Sequence, residues 1–103
     1  MPSIAQLERL LAADPDDAFV LYALAQEHAN AANHDEALGY YDRCLAVDPA
    51  YCYAYFHKAR SLEALGRKAD AADALRVGLE VSKKANDMKA AGEIAGYLDE
   101  ITP

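Results

Sequence analysis

A chain of 103 residues holds one hydrophobic core and is too short for two, and 53% hydrophobic content with only four Pro and five Gly excludes a disordered or collagen-like polymer. The formal net charge of −7 sits in the first half: residues 1–51 hold nine acidic and two basic side chains, residues 52–103 eight of each. That balance excludes nucleic acid and anionic membranes as partners, because both need clustered Lys and Arg, and it leaves a solvated acidic surface. No run approaches the roughly 18 apolar residues of a membrane span, and Glu8 and Arg9 interrupt the start where a signal peptide would be apolar, so a soluble cytoplasmic chain is expected.

Six helices are predicted. The first, about 3–13, carries Leu7, Leu10 and Leu11 and stops at Asp14-Pro15. Proline disfavours helical geometry in the residue before it and suits the first turn of the next helix. Over 18–31, Leu21, Leu24, Ala25 and His28 recur at three- and four-residue steps, which marks one helix face. Ala37, Leu38, Tyr41, Cys44 and Leu45 repeat the pattern over 35–47. The turn between these two helices is expected at Asn33, a residue that tolerates the left-handed conformation. Asp48-Pro49 closes the third helix, and a fourth over 52–65 turns at Gly66 into a fifth over 69–84. The sixth, 87–101, sets Met88, Ala91, Ile94, Ala95, Leu98 and Ile101 on one side and Lys89, Glu93 and Glu100 on the other. Ala25, Ala37, Ala59 and Ala71 remove bulk where helices cross closely. Lys58 stands at a core position, where its stem should pack while its ammonium reaches water or a carboxylate.

The two Asp-Pro pairs lie 34 residues apart, and sliding the chain by that interval sets Ala37 on Ala71, Tyr41 on Leu75, Cys44 on Gly78 and Leu24-Ala25 on Lys58-Ala59. In the first unit, about 18–51, Leu21, Leu24, Ala25, His28, Ala37, Tyr41, Cys44 and Pro49 fill the eight signature positions of a known repeat. The second, about 52–85, offers Tyr55, Lys58, Ala59, Leu62, Ala71, Leu75 and Gly78. On these residues the chain resembles the tetratricopeptide-repeat (TPR) family. It departs from the family at Leu21, where Trp is usual, at His28, where Tyr is usual, and at Lys58 and Lys83, which replace a large apolar residue and the closing Pro. The resemblance implies an all-α fold: a right-handed superhelical stack of antiparallel helix pairs within a single domain, 1–103. Two complete units are flanked by an N-terminal half-repeat helix and a C-terminal capping helix, since each repeat buries its face only against neighbours.

Side chains suited to chemistry form no catalytic pattern. Cys44 and Cys52 match no metal spacing and read as reduced, structural thiols. His28, His34 and His57 also lack ligand spacing: His28 reads as a hydrogen-bonded core residue, His34 belongs to a turn, and His57 borders a groove. Ser3, Ser61 and Ser82 have no nucleophile-elbow context, and no glycine-rich phosphate loop is present. No enzyme activity, cofactor or metal is expected.

The surface is more informative. In TPR domains the first helices of successive repeats line a concave face that receives an extended peptide or a partner's helix. Carried over by the resemblance, those positions are Phe19, Tyr22, Gln26 and Asn30 in the first unit and Tyr53, Phe56, Arg60 and Glu63 in the second, with His57 at the edge. Steps of three and four residues place each quartet on one stripe, apart from the core face. Aromatic and Arg residues are favoured anchors of binding energy, so a protein- or peptide-binding module is the leading expectation. The alternative is self-association into a homodimer through the exposed repeat faces. The family's carboxylate clamp is not expected, because its places hold Tyr22, Gln26, His57 and Tyr53 and a third repeat is missing. Arg60, with Gln26 and Asn30, could still hydrogen-bond an acidic group.

Overall fold

The computed structural model describes residues 2–103. Six helices run in order: α1 Ile4–Ala13, α2 Ala18–Asn30, α3 His34–Val47, α4 Cys52–Ala64, α5 Lys68–Lys84 and α6 Met88–Ile101. Among the described residues there is no strand. Local chemistry sets the ends. Ser3 and Gln6 form a reciprocal capping box at α1, and the carboxylates of Asp17 and Asp87 accept the N–H groups of Val20 and Ala90 at 3.2 and 3.1 Å. At Asp14 and Asp48 the backbone swings out of helical geometry before each Pro, and the Asp48 carboxylate then accepts the Ala50 N–H at 3.1 Å.

Three helix C-termini share one closure. The Asn33, Arg67 and Asp87 N–H groups donate to the carbonyls of His28, Leu62 and Ser82 at 2.8, 2.8 and 2.9 Å, and the intervening residue is left-handed each time. That residue is Gly66 at φ 77°, Asn86 at φ 57° and Ala32 at φ 62°. The expected left-handed Asn33 is thus corrected. Asn33 itself has φ −90° and precedes α3, because the six-residue closure onto His28 demands positive φ one position earlier.

The hairpins α2–α3 and α4–α5 are joined by α3–α4 packing, while α1 lies on α2 and α6 lies on α5; α2 and α6 each also touch α4. A stack of antiparallel pairs follows, measuring 41 × 30 × 21 Å. Ala25, Ala37, Ala59 and Ala71 are fully buried at the crossings, and Tyr41, Leu24, Leu75 and Ile94 fill the space between them. Gly78 marks a close approach of α5 to α4: a Cβ there would lie 2.5 Å from Tyr55 Cβ and 2.9 Å from its Cγ. The Tyr55 hydroxyl meanwhile donates to the Pro49 carbonyl at 2.8 Å, tying α4 to the preceding turn.

Lys58 behaves as its position dictates. Its stem is half-buried and its ammonium lies 2.7 Å from the Asp42 carboxylate. Three residues differ from the sequence reading. Leu10 and Met88 are 54% and 61% exposed, because α1 and α6 each have a neighbour on one side only. His28 is only partly buried and stacks on Tyr40 at 5.4 Å, and its buried Nδ1 finds no hydrogen-bond partner among the described residues. Cys44 and Cys52 are free and buried, and burial pushes the Cys44 thiol up to about 11.

Candidate functional site

Because helices alternate between two layers, α2, α4 and α6 share one side of the stack. Side chains at three- and four-residue steps on these helices meet there in a band of rings. Tyr22 lies 4.9 Å from Tyr51, 6.2 Å from Tyr41 and 5.9 Å from His57. Phe56 in turn sits 5.2 Å from His57 and 5.2 Å from Tyr97. The band therefore runs across the whole inner face, from the loop before α4 to α6. Tilted and edge contacts of this kind stabilise the rings against one another while leaving part of each open. Tyr22, Phe56, His57 and Tyr97 are all partly exposed.

The expected residues do not all join the band. Phe19 is 67% exposed and stands outside it, at the first turn of α2. Tyr53 is partly exposed near the start of α4, where desolvation and the Glu93 carboxylate raise its phenol above the ordinary value. Gln26, Asn30 and Arg60 instead line a polar cavity of about 230 Å³ between α2 and α4, together with His34, Ser61 and His57, the last of which also belongs to the ring band. There the Tyr41 hydroxyl donates to Gln26 Oε1, and His34 Nδ1 and Ser61 Oγ are hydrogen-bonded at 3.1 Å. Burial and then the Arg60 guanidinium push His57 below its ordinary value, which keeps the ring neutral at neutral pH. Burial and then Tyr51 push the Tyr22 phenol up to about 12.

A second, more apolar cavity of about 430 Å³ opens between α4 and α6, walled by Phe56 and Tyr97 and floored by Gly92 and Gly96. Arg60 borders both cavities, and Glu63, Glu93 and Glu100 rim the second. The Tyr97 hydroxyl donates to Glu63 Oε1 at 2.7 Å, and burial and then this carboxylate raise its pKa. The C-terminal helix α6 covers α5 with Ile94, as a cap does, and also lines the groove with Tyr97. The 34-residue period does not reach it, because α5 runs 17 residues where α3 runs 14. Chemically the arrangement offers apolar contact, hydrogen bonds and charge. Among the described residues no three His, Cys, Asp or Glu side chains converge as metal ligands.

Helix hairpins with buried alanines between the two helices of each repeat and a ring-lined inner face define the class: a tetratricopeptide-repeat domain. No protein-family model matches the chain. It is nevertheless 34% identical to a tetratricopeptide repeat domain protein from Salinibacter ruber solved in solution by NMR, with a TM-score of 0.79 over 85% of this chain and 89% of that one. A TPR repeat-containing protein of Pseudomonas aeruginosa is 26% identical over 98 residues, 95% of this chain and 93% of the relative. The TPR2B domain of yeast Sti1, solved as its pHsp70 complex, is 21% identical with a TM-score of 0.89 over 95% of this chain and 78% of that one, and at that identity it shares the fold. The chain belongs to the tetratricopeptide-repeat family.

Proposed function

We propose that this chain binds a protein or peptide partner along the inner face of α2, α4 and α6, with Phe19, Tyr22, Gln26, Asn30, Tyr53, Phe56, His57 and Arg60 as contact residues and Tyr97 beside them. The observation that carries the reading is the continuous, partly exposed ring band from Tyr51 to Tyr97, which exceeds what a soluble surface requires. The Sti1 domain of the same fold, solved in its pHsp70 complex, supports such a use. Residues 1–103 act as one module, with repeats over about 18–51 and 52–85 and no chemistry of their own. The free cysteines Cys44 and Cys52 favour a reducing compartment, and a cytoplasmic setting is part of the reading. Among the described residues, no helix is long and apolar enough to cross a membrane.

The groove is short, so micromolar affinity is expected, on the order of −8 kcal/mol. Tyr22→Ala and Phe56→Ala should each weaken partner capture by about 1 kcal/mol or more with helicity unchanged by circular dichroism. Undiminished capture by both variants removes the groove from the account. Light scattering on the free chain should give a monomer, since a tight dimer hiding these rings would favour self-association.

A further inference from the structure

We infer that the α4–α6 half of the groove takes a cationic side chain, Lys or Arg, from the partner peptide; this rests on the groove reading above. Three carboxylates, Glu63, Glu93 and Glu100, rim a cavity that holds one cation, Arg60. Four basic residues elsewhere are engaged by carboxylates, Lys58 with Asp42, Arg67 with Asp70, Arg76 with Asp73 and Lys84 with Glu80, whereas Glu93, Glu100 and Arg60 form no ion pair among the described residues. Glu63 is held by the Tyr97 hydroxyl and Glu93 lies against the Tyr53 phenol, so an incoming charge meets Glu100 with neither ring on it and Glu93 shared with a neutral hydroxyl.

The walls suit the rest of such a side chain. Phe56 and Tyr97 meet at 5.2 Å with their planes tilted by 56°, presenting ring surface that attracts a cation and packs its methylenes. The floor is unusual for a helix. Glycine costs roughly 1 kcal/mol relative to alanine at an interior helical position, yet α6 carries Gly92 and Gly96 facing the cavity. A Cβ on either would meet no atom within 4 Å, so packing inside the chain does not require them. What their missing side chains provide is room for a long stem to lie against the α6 backbone. The polar cavity on the far side of Arg60 presents Gln26, Asn30 and His57, so the groove changes from hydrogen-bonding to acidic along its length and gives a bound segment one direction. The net charge of −7 draws a cationic partner toward the chain.

Selection of phage-displayed random dodecapeptides on the full chain tests this, followed by titration of the enriched sequences as acetylated, amidated peptides. Enriched peptides should carry Lys or Arg beside an apolar residue. Glu93→Gln with Glu100→Gln should weaken them about ten-fold, and exchanging the peptide's basic residue for Glu should do the same. Gly96→Leu, which places a branched side chain on the cavity floor, should weaken binding at least ten-fold while the circular dichroism spectrum is kept. Enrichment of acidic or neutral peptides, or binding unchanged in the double variant, overturns the inference. If Phe56→Ala then still weakens those peptides, the groove stands and only the cationic site falls; if it does not, the groove falls as well. A dimer of the free chain that Phe56→Ala or Gly96→Leu returns to monomer would seat a second copy in the groove and also overturn the inference.

Discussion

Gly78→Ala adds one methyl group at a close approach between α4 and α5, and the same change at Gly39 supplies its control. The new Cβ at position 78 would stand 2.5 Å from Tyr55 Cβ, 2.9 Å from Tyr55 Cγ and 3.4 Å from Ile94 Cδ1. Favourable carbon–carbon contact needs about 3.5–4.0 Å, so the helices must part by about 1 Å. The obstructing atom is the Cβ of a residue whose hydroxyl is tied to Pro49, so rotating the ring does not relieve it. Overpacking costs about 1–3 kcal/mol, and the gain in helix propensity returns about 1. The clash is backbone-proximal on both sides, so a net loss of about 2 kcal/mol is expected, or roughly 8–16 °C in Tm for a domain of this size. At Gly39 the added Cβ meets nothing within 4 Å, so only propensity acts and stability should rise by about 0.8–1 kcal/mol. Thermal and urea unfolding followed at 222 nm measures both variants. A Gly78→Ala midpoint equal to or above the parent's would refute the close approach of α4 and α5.

Three further outcomes are expected. Ala32→Gly should raise stability by about 0.5–1 kcal/mol, because relief of the left-handed alanine at φ 62° outweighs the added freedom of the unfolded chain; a loss of stability in urea would contradict the closure found at the end of α2. Lys58→Leu should be neutral or stabilising by up to about 1 kcal/mol. The Asp42 pair is solvent-screened, with side chains 28% and 59% exposed, while leucine would pack against Leu38 and Leu62; a clear fall in Tm would assign the ion pair a larger share. His57 has its pKa lowered on folding, so below its ordinary 6.5 the unfolded chain binds more protons. Its contribution is whole above about pH 6.5 and declines as pH falls from there. The parent should lose more stability between pH 7.5 and 5.5 than His57→Gln, and equal losses would show that another group titrates.

Helix order and ends were legible because they rest on short-range chemistry. Asp-Pro stops and the glycine turn at 66 each act within a few residues, and the structure places the helix ends within about one residue of the sequence-derived bounds. The left-handed Ala32 escaped because alanine has no preference for positive φ; the hairpin closure imposes it. At the candidate site, three- and four-residue spacing set Tyr22 and Phe56 on stripes apart from the core face, with His57 at the edge, and these three rings lie near one another in the fold. Spacing could not tell that Phe19 stands clear of the rings or that Tyr51, in a loop, stacks on Tyr22. Tyr97 was hidden because the longer α5 moves α6 out of the 34-residue register, and a contact between residues 56 and 97 depends on how the hairpins stack.

The most direct test of the inner-face account is site-specific photo-cross-linking in the source cells, with a benzophenone amino acid placed in turn at Phe56, at Tyr97 and at the outward-facing Val77 and Leu10. Irradiation should join the chain to the same partner from positions 56 and 97 and to none from positions 77 and 10. Adducts formed from Val77 or Leu10 while Phe56 and Tyr97 give none, or adducts only to a second copy of the chain, would contradict it.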